Sequence, residues 1–116
     1  MGTFLHPITV IGPHGRSETL DAVVDSDQLF ALMPYGVLSR LDFWPDRSIR
    51  YKGQERGFGQ VRGELLSRPG SITYIVGAED EPPRIGRHTL DSFVLDVDEE
   101  NQQLVPKILR MIEHAH

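Results

Sequence analysis

Two carboxylates and a hydroxyl stand together at Asp25-Ser26-Asp27, directly after the apolar, β-branched run Ala22-Val23-Val24. Carboxyl groups held near a substrate donate and accept protons, so general acid and base work is the chemistry these residue types offer. The same types have a plainer use, because Asp and Ser close hairpins by bonding the nearby backbone. Other chemistry-bearing residues are less promising. Five histidines are scattered along the chain, and His114 and His116, although spaced like a ligand pair, fall at the fraying end of an expected helix. Glu79-Asp80-Glu81 and Asp98-Glu99-Glu100 lack the spaced oxygen ligands of a calcium loop and read as solvated surface. No metal and no cofactor is expected. The absence of cysteine excludes disulfides, thiolate nucleophiles and cysteine metal sites.

The elements that must position Asp25 follow from periodicity and turn residues. Phe4 to Ile11 is rich in β-branched residues and ends at Gly12-Pro13-His14-Gly15, a turn. Thr19 to Val24 places Leu20, Ala22 and Val24 on one face, so the two runs predict a hairpin that delivers Asp25 at its far end. Pro34 opens a short helix over about residues 34–41, with Val37, Leu38 and Leu41 at helical spacing. Gly53, Gly57 and Gly59 around Phe58 predict a mobile hairpin tip between strands at 49–52 and 60–66. Ile72 to Val76 is a strand, residues 77–83 form an acidic loop, and Thr89 to Ser92 is a single helical turn. Phe93, Leu95 and Val97 alternate into a last hairpin that returns over 102–105, and Pro106 opens an amphipathic helix to His116. The pattern alone gives a mostly β chain folded as a small closed barrel or sandwich.

Ala22-Val23-Val24-Asp25-Ser26 resembles the active-site loop of retropepsin-like aspartic peptidases, with Asp27 where that family has glycine. The likeness extends along residues 4–106. Pro34 to Leu41 is similar to the stretch after the catalytic loop. Arg84-Ile85-Gly86-Arg87-His88-Thr89-Leu90 is similar to the second signature, and residues 93–106 resemble the closing hairpin. The resemblance implies a single retropepsin-like domain over 1–116, with a core at 4–106 and a helical extension at 107–116. A single-motif chain supplies half of a two-aspartate site, so it implies a homodimer in which each protomer contributes Asp25 to activate water for hydrolysis of a peptide or protein substrate. Ser26 would brace the two loops, and Gly53 to Gly59 with Phe58 would form a flap. Ile85, Gly86 and Arg87 would line or tune the site. Asp27 would turn away to pair with Arg87 or an arginine of the other protomer. The alternative is a retropepsin-fold binding or dimerisation module, inactive because Asp27 replaces the motif glycine. A small-molecule carrier has no positive support in the sequence.

Length and charge bound these readings. A chain of 116 residues makes one domain. A net charge of −5 without a basic cluster argues against nucleic-acid and anionic-membrane partners. No run reaches the roughly 18 apolar residues needed to span a bilayer. The N-terminus lacks the basic start and apolar core of a secretory signal, so a cytoplasmic location is expected.

Overall fold

The computed structural model describes residues 3–108. Residues 107 and 108 are helical, and the rest of the expected terminal helix lies outside the described residues. Strands β1 (Phe4–Ile11) and β2 (Ser17–Val24) pair antiparallel along their whole length, from Phe4 opposite Val24 to Ile11 opposite Ser17. Alternation buries Ile8 and Val10 on one strand and Ala22 and Val24 on the other. Val24 is thereby anchored in the core, and the chain leaves β2 at Asp25.

Strand β3 (Ala31–Pro34) runs into helix α1 (Tyr35–Leu41), whose buried face is Val37, Leu38 and Leu41. Pro34 is extended at the N-cap, and Asp42, with a φ of 55°, ends the helix in a left-handed conformation. Strands β4 (Arg47–Tyr51), β5 (Gln54–Leu65) and β6 (Arg68–Gly77) form two consecutive hairpins. Their two-residue turns, Lys52-Gly53 and Leu66-Ser67, have positive φ at both positions, the backbone twist that tight hairpins require. The two-residue strand β7 (Arg84–Ile85) precedes α2 (Arg87–Ser92). A separate hairpin, β8 (Leu95–Asp98) with β9 (Gln103–Pro106), ends the described chain.

The main sheet has the order β1-β2-β7-β3-β6-β5-β4, and β1 also pairs with β5, which closes six of the strands into a ring. Inside it Val10, Met33, Leu38, Ile72, Tyr74 and Ile85 share one buried cluster with Phe93 and Leu95. Each large apolar side chain so buried contributes about 1.5–3 kcal/mol of transfer free energy. Short β7 matters most for the site. It lies parallel to β2 and antiparallel to β3, while β3 lies parallel to β6. Residues about 60 apart in sequence therefore meet where β2 ends.

The glycines of the expected flap are placed differently from the sequence reading. Strand β5 starts at Gln54, so Gly57, Phe58 and Gly59 lie within the strand, and only Gly53 stands in the turn. The two in-strand glycines answer to packing. A Cβ on Gly57 would lie 2.6 Å from Pro45 Cγ and 2.9 Å from a Val76 methyl, and one on Gly59 would lie 3.1 Å from both Pro45 Cα and the Tyr74 hydroxyl. Their bare backbone lets the segment before β4 lie against the sheet. No helix among the described residues is long and apolar enough to cross a membrane.

Candidate active site

The loop after β2 is held from both ends by backbone bonds. The Asp25 amide donates to the Ile85 carbonyl at 3.0 Å, and the Gln28 amide donates to the Asp25 carbonyl at 3.1 Å, closing a turn around Ser26 and Asp27. Each oxygen of the Asp25 carboxylate then has one donor. The Asp27 amide reaches Oδ1 at 3.1 Å, and Arg84 Nη1 reaches Oδ2 at 3.2 Å. The carboxylate keeps about a quarter of its side-chain surface exposed, 24%, so it is both fixed and reachable.

Gly86 brings the second segment under this loop. A Cβ there would lie 2.7 Å from the Gln28 carbonyl oxygen and 2.8 Å from those of Leu29 and Phe30. With no Cβ, the start of α2 can dock: the Arg87 amide donates to Gln28 at 2.8 Å and the His88 amide to Leu29 at 2.9 Å. The Arg87 side chain completes the junction, donating Nε and Nη2 to the Ser26 carbonyl at 3.1 and 2.8 Å. Ile85 is fully buried beneath.

The pairing expected between Asp27 and Arg87 is not made. Arg87 turns to the Ser26 carbonyl, an acceptor in fixed position, and Asp27 is exposed with no ion pair among the described residues. Asp27 also sits outside the left-handed region of backbone space, so the side chain in the glycine position imposes no backbone strain. Its contribution is the amide that supports Asp25. The Ser26 hydroxyl makes no hydrogen bond among the described residues.

The β4–β5 hairpin leans over the same loop. Tyr51, just before the turn, donates its hydroxyl to Gln28 Oε1 at 3.1 Å, and Phe58 meets Phe30 edge to face at 5.0 Å. His88 also packs against Phe30, with ring centroids 5.6 Å apart. Midway along the hairpin, opposite Ile49, Arg56 donates to the Val76 carbonyl at 3.0 Å and to Glu81 at 2.8 Å. The Ala78 amide, and after it Arg56, hold the Glu81 carboxyl below the usual carboxylate range.

The structure thus brings together Asp25, Ser26, Asp27, Ile85, Gly86 and Arg87, with Phe58 at the edge through Phe30, and leaves Gly57 and Gly59 as packing residues. Solved structures share this arrangement of strands. The chain superposes on the retroviral protease-like domain of Ddi1 from Leishmania major with a TM-score of 0.63 at 15% identity, covering 91% of this chain and 89% of that one. The fold is that of the retropepsin-like aspartic proteases. A retropepsin-like aspartic protease from Rickettsia conorii matches with a TM-score of 0.54 at 12% identity, over 85% of this chain and 90% of that one. The EIAV protease, in complex with the inhibitor HBY-793, matches with a TM-score of 0.54 at 13% identity, over 90% and 93%. No protein-family model and no curated protein matches the sequence.

Sequence reasoning placed Arg84 in the second signature without giving it a role. The signal was available: in a strand with Ile85 facing the core, its neighbour must face the other way, toward the side on which Asp25 ends its own strand. Gln28, Phe30 and Tyr51 were also missed, since their meeting depends on how the hairpin folds back.

Proposed function

We propose that the chain is an aspartic endopeptidase acting as a homodimer, with one Asp25 from each protomer facing the other across a two-fold axis. The observation that carries this reading is the Asp25 loop: a partly exposed carboxylate with both oxygens hydrogen-bonded, braced by a distant Ile-Gly-Arg segment in a retropepsin-like fold. Two adjoining carboxylates share one proton because both ionise only at a high electrostatic cost. The ionised member takes a proton from water as the water oxygen bonds to the peptide carbonyl carbon, and the protonated member donates to the carbonyl oxygen. Return of a proton to the amide nitrogen then breaks the C–N bond and releases acid and amine.

The unpartnered Ser26 hydroxyl supports a contact with the other protomer's loop, and exposed Leu5 and Leu29, 64% and 56% accessible, supply apolar surface for an isologous interface. The Lys52-Gly53 turn would serve as the tip of a flap that opens by releasing Tyr51 from Gln28. Cleavage of an unstructured protein between about pH 4 and 7, abolished by Asp25→Asn, tests the proposal.

One observation favours a second reading. Arg84 already occupies one oxygen of Asp25 from within the same chain, at 3.2 Å, so that oxygen is engaged before a water or a second aspartate could reach it. In that reading the chain is an inactive retropepsin-fold dimerisation or binding module, and a folded, dimeric wild type that cleaves nothing at any pH in that range is its signature.

A further inference from the structure

Arg84 touches Asp25, and most of its hydrogen-bonding capacity remains unused. Alternation along β7 sends Ile85 into the core and leaves Arg84 on the other face, where its side chain keeps 31% of its surface exposed. A guanidinium presents five N–H donors in a planar fork. Nη1 gives one to Asp25 Oδ2, and Nε and Nη2 have no acceptor among the described residues. The other two arginines near the site differ. Arg87 uses Nε and Nη2 on the Ser26 carbonyl, and Arg56 is held by Val76 and Glu81. Among the described residues Arg84 alone combines exposure, adjacency to Asp25 and an open donor edge.

We propose that Arg84 is a specificity-determining residue that binds an acidic side chain next to the scissile bond. The inference rests on the peptidase reading for its position relative to the substrate. A carbonyl close enough to receive a water activated by Asp25 lies within a few ångströms of the Arg84 fork, so the residues flanking that carbonyl meet it. A carboxylate accepts two parallel N–H bonds from such a fork, whereas an apolar side chain would cover the cation and offer it no acceptor. Discrimination therefore has an attractive and a repulsive part. In a two-fold dimer one Arg84 stands on each side of the cleft, so acidic residues on either side of the cleaved bond are recognised.

The test uses hexapeptides carrying Glu at successive positions, each with a Gln counterpart of nearly the same shape. Cleavage is read as kcat/KM on the wild type, and affinity as Kd by calorimetry on Asp25→Asn. A preference for Glu over Gln of about tenfold is expected at one or more positions beside the scissile bond in both readouts. Arg84→Leu brings that ratio to about one, Arg84→Lys leaves an intermediate ratio, and Arg84→Glu shifts preference to peptides carrying Lys. Equal Glu and Gln values at every position in the wild type, or a ratio unchanged in Arg84→Leu, overturn the proposal. The wild-type ratio decides even if a variant fails to fold. The two readings part here. Glu preference in Kd without any cleavage removes the peptidase reading and keeps the acidic-ligand site, whereas cleavage indifferent to Glu removes the site and keeps the peptidase.

Discussion

Replacing Gly86 with alanine tests how the candidate site is assembled. The added methyl would meet three backbone carbonyl oxygens, those of Gln28, Leu29 and Phe30, at 2.7 to 2.8 Å. None is the far end of a flexible side chain, so relief requires the loop and α2 to separate. Separation weakens the amide bonds from Arg87 to Gln28 and from His88 to Leu29. Overpacking of this kind costs about 1–3 kcal/mol, and each weakened hydrogen bond adds up to about 1 kcal/mol. We therefore expect a loss of about 3 kcal/mol. An unfolding entropy of about 2.1 cal/mol/K per residue gives about 0.24 kcal/mol/K for 116 residues, so the melting temperature falls by about 12 °C. Gly53→Ala is the control. Gly53 has a φ of 79° but open space around its Cβ, so only backbone strain of about 1 kcal/mol applies. Calorimetric unfolding of both variants measures the difference, and a Gly86→Ala protein within about 2 °C of wild type would refute the crowding argument.

Further outcomes follow from other parts of the fold. Leu66 and Ser67 hold φ values of 51° and 61° in a two-residue turn, so replacing them with Asn-Gly relieves left-handed strain and raises stability by about 1 kcal/mol, read by urea denaturation. The Tyr74 hydroxyl is buried without a hydrogen-bond partner among the described residues, and Tyr74→Phe should be neutral or stabilising by up to about 1 kcal/mol. Burial pushes the Tyr74 phenol up to about 12 from an ordinary 10.0. The folded chain thus keeps a proton that the unfolded chain releases, and stability present below pH 10.0 is lost as the pH rises toward about 12, which phenolate absorbance against pH will show. Glu81 has the opposite sign. Its carboxyl is held below the ordinary 4.5, so its contribution is present above that pH and is lost as the pH falls through the lowered value. Glu81→Gln should cost about 1 kcal/mol at neutral pH and flatten the acid limb of the stability curve.

The path from β1 through Asp25 was legible because it is local: alternation fixes the hairpin, and the run of apolar residues fixes where it ends. The apolar-glycine segment at 85–86 was legible only through its likeness to the second retropepsin signature; the crowding around Gly86 gives the physical reason, two backbones approaching where no Cβ fits. Gly57 and Gly59 misled for the same physical reason. A glycine required by Pro45 and Tyr74 packed across it looks, in sequence, like one required by a turn. The Lys52-Gly53 turn that does reverse the chain carries a lysine at its first left-handed position, an uncommon choice with little sequence signal. Arg84 and Arg87 show the limit most clearly. Two arginines three residues apart reach different acceptors, a carboxylate and a carbonyl, because the first lies in β7 and the second opens α2, which changes its direction.

The central claim, that one site is built from Asp25 of two protomers, is tested most directly by mixing. Wild type and Asp25→Asn are unfolded and refolded together in equal amounts, at constant total protein, and cleavage of an unstructured substrate is measured. If only pairs of wild-type protomers cleave, random assortment leaves about one quarter of the undiluted activity. Retention of about one half would show that each protomer acts by itself and would contradict the account, as would a folded wild type with no cleavage at all.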